Sequence, residues 1–335
     1  MSFSTVTLLA AMSQLDRNDT FLLNLLFPEQ VNFETEKIAF DEILDSEKLA
    51  PFCSPVVAGK AVTSNATQMK QLKPAYIKVK ESVDPNRVMT RKAGEAVGGQ
   101  LSNEERYNAI IGDMLMDHEG RIHRTWESMA AELLRTGKLV IEGEDYPRTE
   151  VDFQRDAANT VSLTGTEQWD DANSTPLDDL QEWMDLLDAP CTHIISGPKA
   201  LNLLGKHDEG KGLLDTRRGS DTKLELAPTA NLAAFRGRLG EGGPEWWTYS
   251  GYYRDDNGNK VKFIGDYDVL VVSTAAMGVR TFGAIQDKKA GFRALEIFPK
   301  MWENEDPSVE YLMSQSAPLP VLKRINATLC ATVKQ

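Results

Sequence analysis

The sequence is poor in the residues that form disulfides and bind metals. It has 3 cysteines and 4 histidines among 335 residues. Cys53, Cys191 and Cys330 are far apart, and no Cys-x-x-Cys spacing occurs. A disulfide framework or a zinc site requires more ligands at closer spacing. We therefore expect three reduced thiols, and neither a metal nor a cofactor.

Long hydrophobic runs are also missing. No window approaches the roughly 18 consecutive apolar residues that a membrane-spanning helix requires. Arg17 is the first cation of the chain, so the N-terminus lacks the basic flank of a secretory signal. We expect no membrane contact, and a protein that stays in the cytoplasm of the cell that makes it.

Positive charge is scarce, because 37 Lys and Arg residues face 50 Asp and Glu residues, for a net charge of -13. Such a surface repels phosphates, which disfavours non-specific binding of nucleic acid. The exception is the window 59–92, where 8 cations oppose only Glu81 and Asp84. The window carries +6, which leaves -19 on the rest of the chain.

The basic window has the alternating polarity of a strand. Polar and apolar residues alternate from Tyr76 to Val83, and a turn at 84–86 leads to 88–92, which we expect to pair back on that strand. The prediction is a long two-stranded hairpin that projects from the body. Its cations are candidates for contact with a neighbouring molecule: Lys70, Lys73, Lys78, Lys80, Arg87, Arg91 and Lys92.

Three functions fit such a hairpin. Docking on an acidic copy of the same protein matches the charges best. Nucleic-acid binding usually requires aromatic side chains for stacking, and the window has only Tyr76. The third interpretation is a solvated charged loop without a partner.

One long helix is predicted from Ser102 to Gly137. Ser102 and Glu105 fit a capping box, and Gly137 supplies a left-handed stop. We expect the apolar stripe to pack on a sheet of the same chain, and to be interrupted at the partly exposed His118 and Glu119. The stripe consists of Tyr107, Ile110, Ile111, Met114, Leu115, Ile122, Trp126, Met129, Ala130, Leu133 and Leu134.

The N-terminus contains an apolar segment, 21–27, that ends at Pro28. It is either an arm that is buried on a neighbouring molecule or a helix docked on its own domain, and the residues alone leave both open. For the arm, the predicted contact residues are Phe21, Leu22, Leu25 and Phe27.

Length and local patterns predict an α+β protein with two lobes, because single cores stop growing at about 250–300 residues. A turn at 255–259 predicts a further hairpin. The predicted helices are 176–187 and 198–205. The predicted strands are 35–40, 55–58, 138–143, 149–153, 192–196, 246–253, 260–264, 269–273, 310–314 and 319–324.

Candidate catalytic groups fail on spacing. His118 and His123 are five residues apart on a helix, which points them about 140° from each other, so they do not share a metal. Adjacent carboxylates such as Asp170 and Asp171 fit a solvated acidic face better than an acid and base pair. The favoured interpretation is a non-enzymatic building block. The alternative is a soluble hydrolase that uses Asp170, Asp171 or His193 in the region 156–300.

Several segments resemble, in the same order, those of a known family. They are 33–37, 54–59, 214–220, 278–287, 298–302 and 314–319. These segments are similar to the corresponding blocks of the phage major capsid protein E family, and the likeness spans nearly the whole chain.

The resemblance implies the HK97-type capsid fold, which is α+β. It also implies that Asp215, Arg217 and Arg218 contact neighbouring subunits. It divides the chain into an N-terminal arm (1–36), a strand segment of the peripheral domain (37–58), an extended loop (59–93), the peripheral domain with the spine helix at 102–137 (94–155), an axial domain (156–300) and a return to the peripheral domain (301–335).

The resemblance also implies a function in the virion. Members of the family assemble into the pentamers and hexamers of an icosahedral head that encloses double-stranded DNA without sequence-specific binding. The expected partners are copies of the chain itself and a trimeric decoration protein. A scaffolding protein, a portal and a maturation protease are expected during assembly in the host cytoplasm.

Overall fold

A computed structural model describes residues 3–12, 20–35, 37–44, 66–83, 89, 102–143, 146–207, 214–215, 232–240, 242–304 and 309–335. These residues contain both helices and strands, as the sequence predicts. The helices are α1 (Thr5–Met12), α2 (Phe21–Leu26), α3 (Asn103–Thr136), α4 (Pro176–Asp185) and α5 (Pro198–Leu204). None of these helices is both long and apolar enough to span a membrane.

Most strands of the described residues are short and belong to small sheets. They are β1 (Glu29–Asn32), β2 (Ile38–Leu44), β3 (Ala66–Leu72), β4 (Ile77–Val83), β5 (Lys138–Gly143), β6 (Tyr146–Asp152), β7 (Thr160–Ser162), β8 (His193–Ser196), β9 (Leu214–Asp215), β10 (Ala233–Leu239), β11 (Glu245–Tyr249), β12 (Tyr252–Arg254), β13 (Lys260–Lys262), β14 (Asp268–Val272), β15 (Gly278–Phe282), β16 (Phe298–Asn304), β17 (Val309–Ser316), β18 (Pro318–Leu322) and β19 (Thr328–Thr332).

Helix α3 is the spine, and its ends are those that the sequence predicts. The Ser102 side chain accepts a hydrogen bond from the Glu105 amide, and the Glu105 side chain accepts one from the Ser102 amide. At the other end Gly137 adopts φ 71°, a left-handed conformation that glycine adopts without steric cost. The 34 residues give a rod of about 50 Å.

A three-stranded sheet with the order β16-β17-β4 packs on the first half of the spine. Its buried face and helix α1 form one core cluster with the spine. Strand β4 pairs antiparallel with β17 along its whole length. Strand β4 lies at the edge of this sheet, so its pairing with β17 leaves its other edge for the predicted pairing with 88–92, which stays a prediction. Of 88–92, only Met89 lies within the described residues.

A long hairpin does form nearby, from β2 and β3. The two strands pair antiparallel from Ile38 opposite Leu72 to Leu44 opposite Ala66. The predicted strand at 55–58 lies outside the described residues. Strand β4 is thus part of the body sheet, whereas β3 belongs to the hairpin.

A second three-stranded sheet, with the order β1-β15-β18, lies beside the second half of the spine. Strand β1 runs parallel to β15, so the N-terminal segment is joined to the late part of the chain. Trp126 of the spine packs on Phe282 of β15, with ring centroids 5.0 Å apart. The predicted hairpin of β5 and β6 directly follows the spine, which confirms that prediction.

The second lobe contains a seven-stranded sheet with the order β7-β19-β14-β8-β11-β10-β9. All five residues of β14 are buried, as expected for a central strand. The predicted hairpin turn joins β12 to β13. Strand β19 pairs with β14 and β7 in this sheet, although the sequence predicts that 301–335 returns to the first lobe. Among the described residues, β17 of that stretch pairs with a first-lobe strand, β4.

Candidate functional site

The apolar stripe of the spine continues through its polar residues. The sequence predicts that His118 and Glu119 are partly exposed, but the structure leaves only 1% and 6% of them exposed. His123 and Glu127 are equally well buried. The prediction is wrong because contacts that the local pattern does not reveal bury these side chains. His118 meets residues of the distant strands β17 and β4, and Glu119 lies beside His123 on the spine itself.

His118 joins the spine to the body sheet. Its Nδ1 lies 3.0 Å from the Ser314 hydroxyl of β17, and its Nε2 lies 3.9 Å from a carboxylate oxygen of Glu81 on β4. Burial lowers the pKa of His118 below its ordinary value, although Glu81 acts in the opposite direction. The ring is therefore neutral at pH 7 and serves as a hydrogen-bonding group of the core.

His123 has different neighbours from His118. Its Nε2 lies 4.0 Å from the carboxylate of Glu119, and its ring packs on Trp126 with centroids 4.7 Å apart. The two histidines therefore contact different residues: His118 contacts the body sheet, and His123 contacts its neighbours on the spine. Within the described residues, no cluster of three or more His, Cys, Asp or Glu side chains has the arrangement of a metal site.

Glu127 is a buried spine residue whose carboxylate accepts three hydrogen bonds. Its carboxylate accepts hydrogen bonds from the amides of Leu22 (2.8 Å) and Leu23 (3.2 Å) and from the hydroxyl of Tyr249 (2.9 Å). The amides belong to the first turn of α2, where backbone N–H groups have no partner within the helix. One carboxylate therefore joins the N-terminal segment, the spine and strand β11.

Burial dominates the electrostatics of this junction. Only 2% of Glu127 is exposed, and burial raises the pKa of its carboxyl, while the backbone amides of α2 and the hydroxyl of Tyr249 act to lower it. Burial together with the neighbouring carboxylate raises the pKa of Tyr249, so the phenol stays protonated and donates its hydrogen bond. The amides of Leu22 and Leu23 and the hydroxyl of Tyr249 thus all donate hydrogen bonds to one acceptor, the carboxylate of Glu127.

The N-terminal segment is therefore packed on its own chain. Phe21, Leu22 and Phe27 are buried, and Leu25 is partly buried against the same core. Of the two possibilities for this segment, the structure has the helix docked on its own domain. The side chains of Phe21, Leu22 and Phe27 lie inside this subunit, and their predicted contact with a neighbouring subunit stays a prediction.

The docked segment continues along strand β15. The backbone oxygen of Leu26 comes so close to Gly278 that a Cβ atom there would lie 2.1 Å from it. Lys323 also forms an ion pair with Glu29 at 3.2 Å. The first residue of β15 must therefore be glycine for the N-terminal segment to pack in this position.

The outer surface of the β16-β17-β4 sheet carries a second group of candidate residues. The ammonium group of Lys80 lies 4.0 Å from the ring centroid of Tyr311 and 5.3 Å from that of Trp302. The two rings stack with centroids 5.5 Å apart. Lys78 is exposed on the same side of β4. We call Lys78, Lys80, Trp302 and Tyr311 the lysine–aromatic face.

The remaining predicted contact residues are dispersed. Lys70 lies in β3 opposite Phe40, and Lys73 is exposed just after that strand. Asp215 lies in β9 opposite Arg238, at the edge of the seven-stranded sheet. The other predicted contact residues lie outside the described part of the chain: Arg87, Arg91, Lys92, Arg217 and Arg218.

The residues of the hydrolase alternative do not come together. Asp170 pairs with Lys334 at 2.5 Å, and Asp171 accepts hydrogen bonds within its own turn. Strand β14 separates the two groups. Lys334 follows β19, whose last residue lies opposite the first residue of β14. His193 lies opposite Val272, the last residue of β14. Four residues of strand separate these ends by about 13 Å. The carboxylates and the imidazole therefore share no site.

The chain matches the family model described as Phage major capsid protein E over residues 4–333. The chain belongs to this family. It is 32% identical over 329 residues to the major capsid protein of Escherichia phage lambda, with 96% of both chains covered.

The fold agrees with this assignment. A prophage protein of Escherichia coli CFT073, described as a capsid protein, is similar with a TM-score of 0.76 and 27% identity over 99% of both chains. The mature capsid of bacteriophage PhiM1 gives a TM-score of 0.53 at 9% identity, over 95% of this chain and 88% of the other, and supports the fold alone. The predicted family and the predicted HK97-type fold are confirmed.

As a member of this family, the chain is a phage major capsid protein. Its role is structural and not enzymatic, and it self-assembles into the capsid of the virion. The sequence segments that carried the resemblance now have a physical meaning. Segment 278–287 contains β15, 298–302 lies in β16, and 314–319 joins β17 to β18. These strands build the two sheets beside the spine. The segments that resemble the family therefore contribute to packing of the fold and not to catalysis.

Glu127 and Tyr249 were not predicted as functional residues. A signal was available for Glu127, because it lies four residues after His123 and three before Ala130, on the buried side of the helix. A charged residue at such a position indicates a buried partner. Its partners, in α2 and β11, lie more than 100 residues away in sequence and were not predictable from spacing.

Proposed function

We propose that this protein assembles into the pentamers and hexamers of an icosahedral phage head that encloses double-stranded DNA. The observation that carries the proposal is the family match over residues 4–333. The net charge of -13 fits a shell that holds DNA without binding it tightly. Electron micrographs of purified particles test the proposal, because pentamers and hexamers are resolved directly, and a chain that stays monomeric at high concentration contradicts it.

The lysine–aromatic face is the proposed docking surface for an acidic region of a neighbouring subunit. Neither Lys78 nor Lys80 has an ion-pair partner within the described part of the chain. Lys78 lies over the ring of Tyr76 and Lys80 over that of Tyr311, and both rings are partly exposed. A carboxylate of a neighbour would meet an ammonium group that an aromatic ring already holds in place. The acidic remainder of the chain supplies such carboxylates in every copy.

Charge reversal tests this docking. The double change Lys78→Glu and Lys80→Glu should reduce the yield of closed shells in electron micrographs, since like charges at an interface cost several kcal/mol. The control is Lys206→Glu with Lys289→Glu, which alters the net charge equally at two exposed lysines elsewhere. Normal shells from the first variant would contradict the proposed contact, and defective shells from the control would show that net charge alone matters.

The remaining partners follow from the family. We propose a trimeric decoration protein on the shell, and a scaffolding protein, a portal and a maturation protease during assembly in the host cytoplasm. Strand β1 supports a binding site near the N-terminal segment, because all four of its residues are exposed. Purification of particles from infected cells, followed by mass spectrometry, tests for these proteins. Particles that contain only this chain would argue against a decoration protein.

A further inference from the structure

A groove of about 750 Å³ lies between the exposed side of the spine and the hairpin of β12 and β13. Its volume is within the range of about 300–1,000 Å³ that is typical of ligand clefts. The spine contributes two arginines one turn apart, and β12 contributes a third. The described lining consists of Arg121, Arg124, Thr125, Ser128, Leu232, Tyr252, Tyr253 and Arg254.

The groove is basic in a protein that is acidic overall. Its described lining includes three guanidinium groups and no carboxylate. Arg121 is paired with Asp117 of the spine at 2.8 Å, and Arg254 donates a hydrogen bond to the carbonyl of Gly258, which leaves its charge uncompensated. Arg124 is exposed and has no ion-pair partner within the described residues. The groove therefore offers two free positive charges that come from different elements.

Leu232 indicates that the groove binds more than a simple anion. Its side chain is 45% exposed, and its backbone adopts φ 57°, which is unfavourable for a branched residue. The backbone of Leu232 is held in place by a hydrogen bond from the Ser250 amide to its carbonyl at 2.9 Å, while much of its side chain faces solvent. Such strain is found where a side chain is held for a functional contact. Beside it, Tyr252 and Tyr253 add aromatic surface, which suits a peptide segment with both acidic and apolar side chains.

We propose that this groove binds a carboxylate-bearing segment of a second copy of the chain. The proposal rests on self-assembly. Every copy brings a net charge of -13 and therefore many carboxylates, and guanidinium groups bind carboxylates in bidentate geometry. Packaged DNA is the weaker candidate, because the net charge of -13 on the chain repels phosphates. A segment bound there contacts the spine and the β12–β13 hairpin together, and so holds the two elements in fixed relative positions.

Zero-length cross-linking tests the proposal on assembled particles. The substitution Arg124→Lys keeps the positive charge and introduces an amine, which a carbodiimide joins to a carboxylate in direct contact. Particles are assembled from an equal mixture of ¹⁴N and ¹⁵N variant chains. We expect mixed-isotope cross-links between position 124 and an Asp or Glu, and none at this position in the wild-type chain, because arginine does not react.

Each other outcome overturns the proposal. Cross-links only within one isotope would show that the chain's own carboxylates fill the groove, and intact particles without a cross-link at position 124 would show that no carboxylate contacts it. Salt-sensitive binding of a DNA duplex that is lost in the variant Arg124→Glu, without such cross-links, would assign the groove to nucleic acid. If the wild-type chain forms no particles, self-assembly itself fails, and this proposal fails with it.

Leu232 provides an independent test. Glycine adopts the same backbone conformation without strain, so Leu232→Gly should leave the melting temperature of the subunit unchanged or raise it. Loss of the apolar contact should reduce the yield of the mixed-isotope cross-link about tenfold in the background of Arg124→Lys. An unchanged yield would show that Leu232 takes no part in binding, and would refute a peptide as the occupant.

Discussion

The substitution Glu127→Leu should separate the N-terminal segment from the spine. Leucine has a similar size but accepts no hydrogen bond, so the buried amides of Leu22 and Leu23 and the hydroxyl of Tyr249 lose their common acceptor. Each unsatisfied buried donor costs about 1–3 kcal/mol. The variant no longer has to desolvate a carboxylate, which offsets part of this cost. We expect a net loss of about 3 kcal/mol in the free energy of unfolding.

Two assays measure this effect on unassembled subunits. Urea denaturation gives the free energy of unfolding, and amide hydrogen exchange reports on α2 itself. A loss of 3 kcal/mol corresponds to about a hundredfold faster exchange at residues 22 and 23 if the segment opens locally. The matched control is Glu132→Leu on the same helix, since that half-buried carboxylate accepts one backbone hydrogen bond, from Val140 at 3.1 Å. We expect the control to lose about 1 kcal/mol and to leave α2 protected.

A definite result would refute this reasoning. If Glu127→Leu changes the unfolding free energy by less than the control does, and if exchange at Leu22 and Leu23 is unaltered, the carboxylate does not hold the N-terminal segment. The pH dependence gives a second check. Because burial raises the pKa of Glu127, its ionisation makes the folded state less stable as the pH rises above the ordinary value of 4.5. The stability advantage of wild type over Glu127→Gln should therefore shrink with rising pH.

Three further predictions concern packing and titration. Gly278→Ala should cost about 2 kcal/mol and expose the segment before Glu29 to proteolysis, because its Cβ would collide with the Leu26 carbonyl; unchanged cleavage would contradict this. Gly112→Ala should raise the unfolding free energy by about 0.5–1 kcal/mol in a denaturant titration, since no neighbouring atom lies within 4 Å of the new Cβ and alanine favours helix. Burial lowers the pKa of His118, so wild type should lose stability as the pH falls below 6.5. In melting curves at pH 5 and 7, this loss should be smaller in His118→Asn, and an equal loss would mean that His118 does not titrate on unfolding.

The candidate sites were predictable only in part. Lys78 and Lys80 are exposed, as expected of contact residues, because charged positions of an alternating strand face solvent. The position of Lys80 beside Trp302 and Tyr311 was not predictable, since it depends on the pairing of β4 with β17 and of β17 with β16, which lie more than 200 residues after β4. The docking of 21–27 on its own spine was one of two open possibilities, and the packing of α2 decided between them.

The sequence alone determined those features whose causes are local. The spine, with its capping box at Ser102 and its left-handed end at Gly137, follows from hydrogen bonds and conformational preferences within a few residues. The hairpin of β5 and β6 and the turn between β12 and β13 are local in the same sense. The family was also identifiable from ordered segments of sequence.

Only the tertiary structure decided which distant groups meet. The partner of β4, the position of β19 between β7 and β14 in the seven-stranded sheet, and the burial of His118 depend on contacts between residues far apart in the chain. The same is true of Glu127, whose partners lie in α2 and β11. Periodicity assigns a side chain to a face, but which groups cover that face is set by the packing free energy of the whole fold.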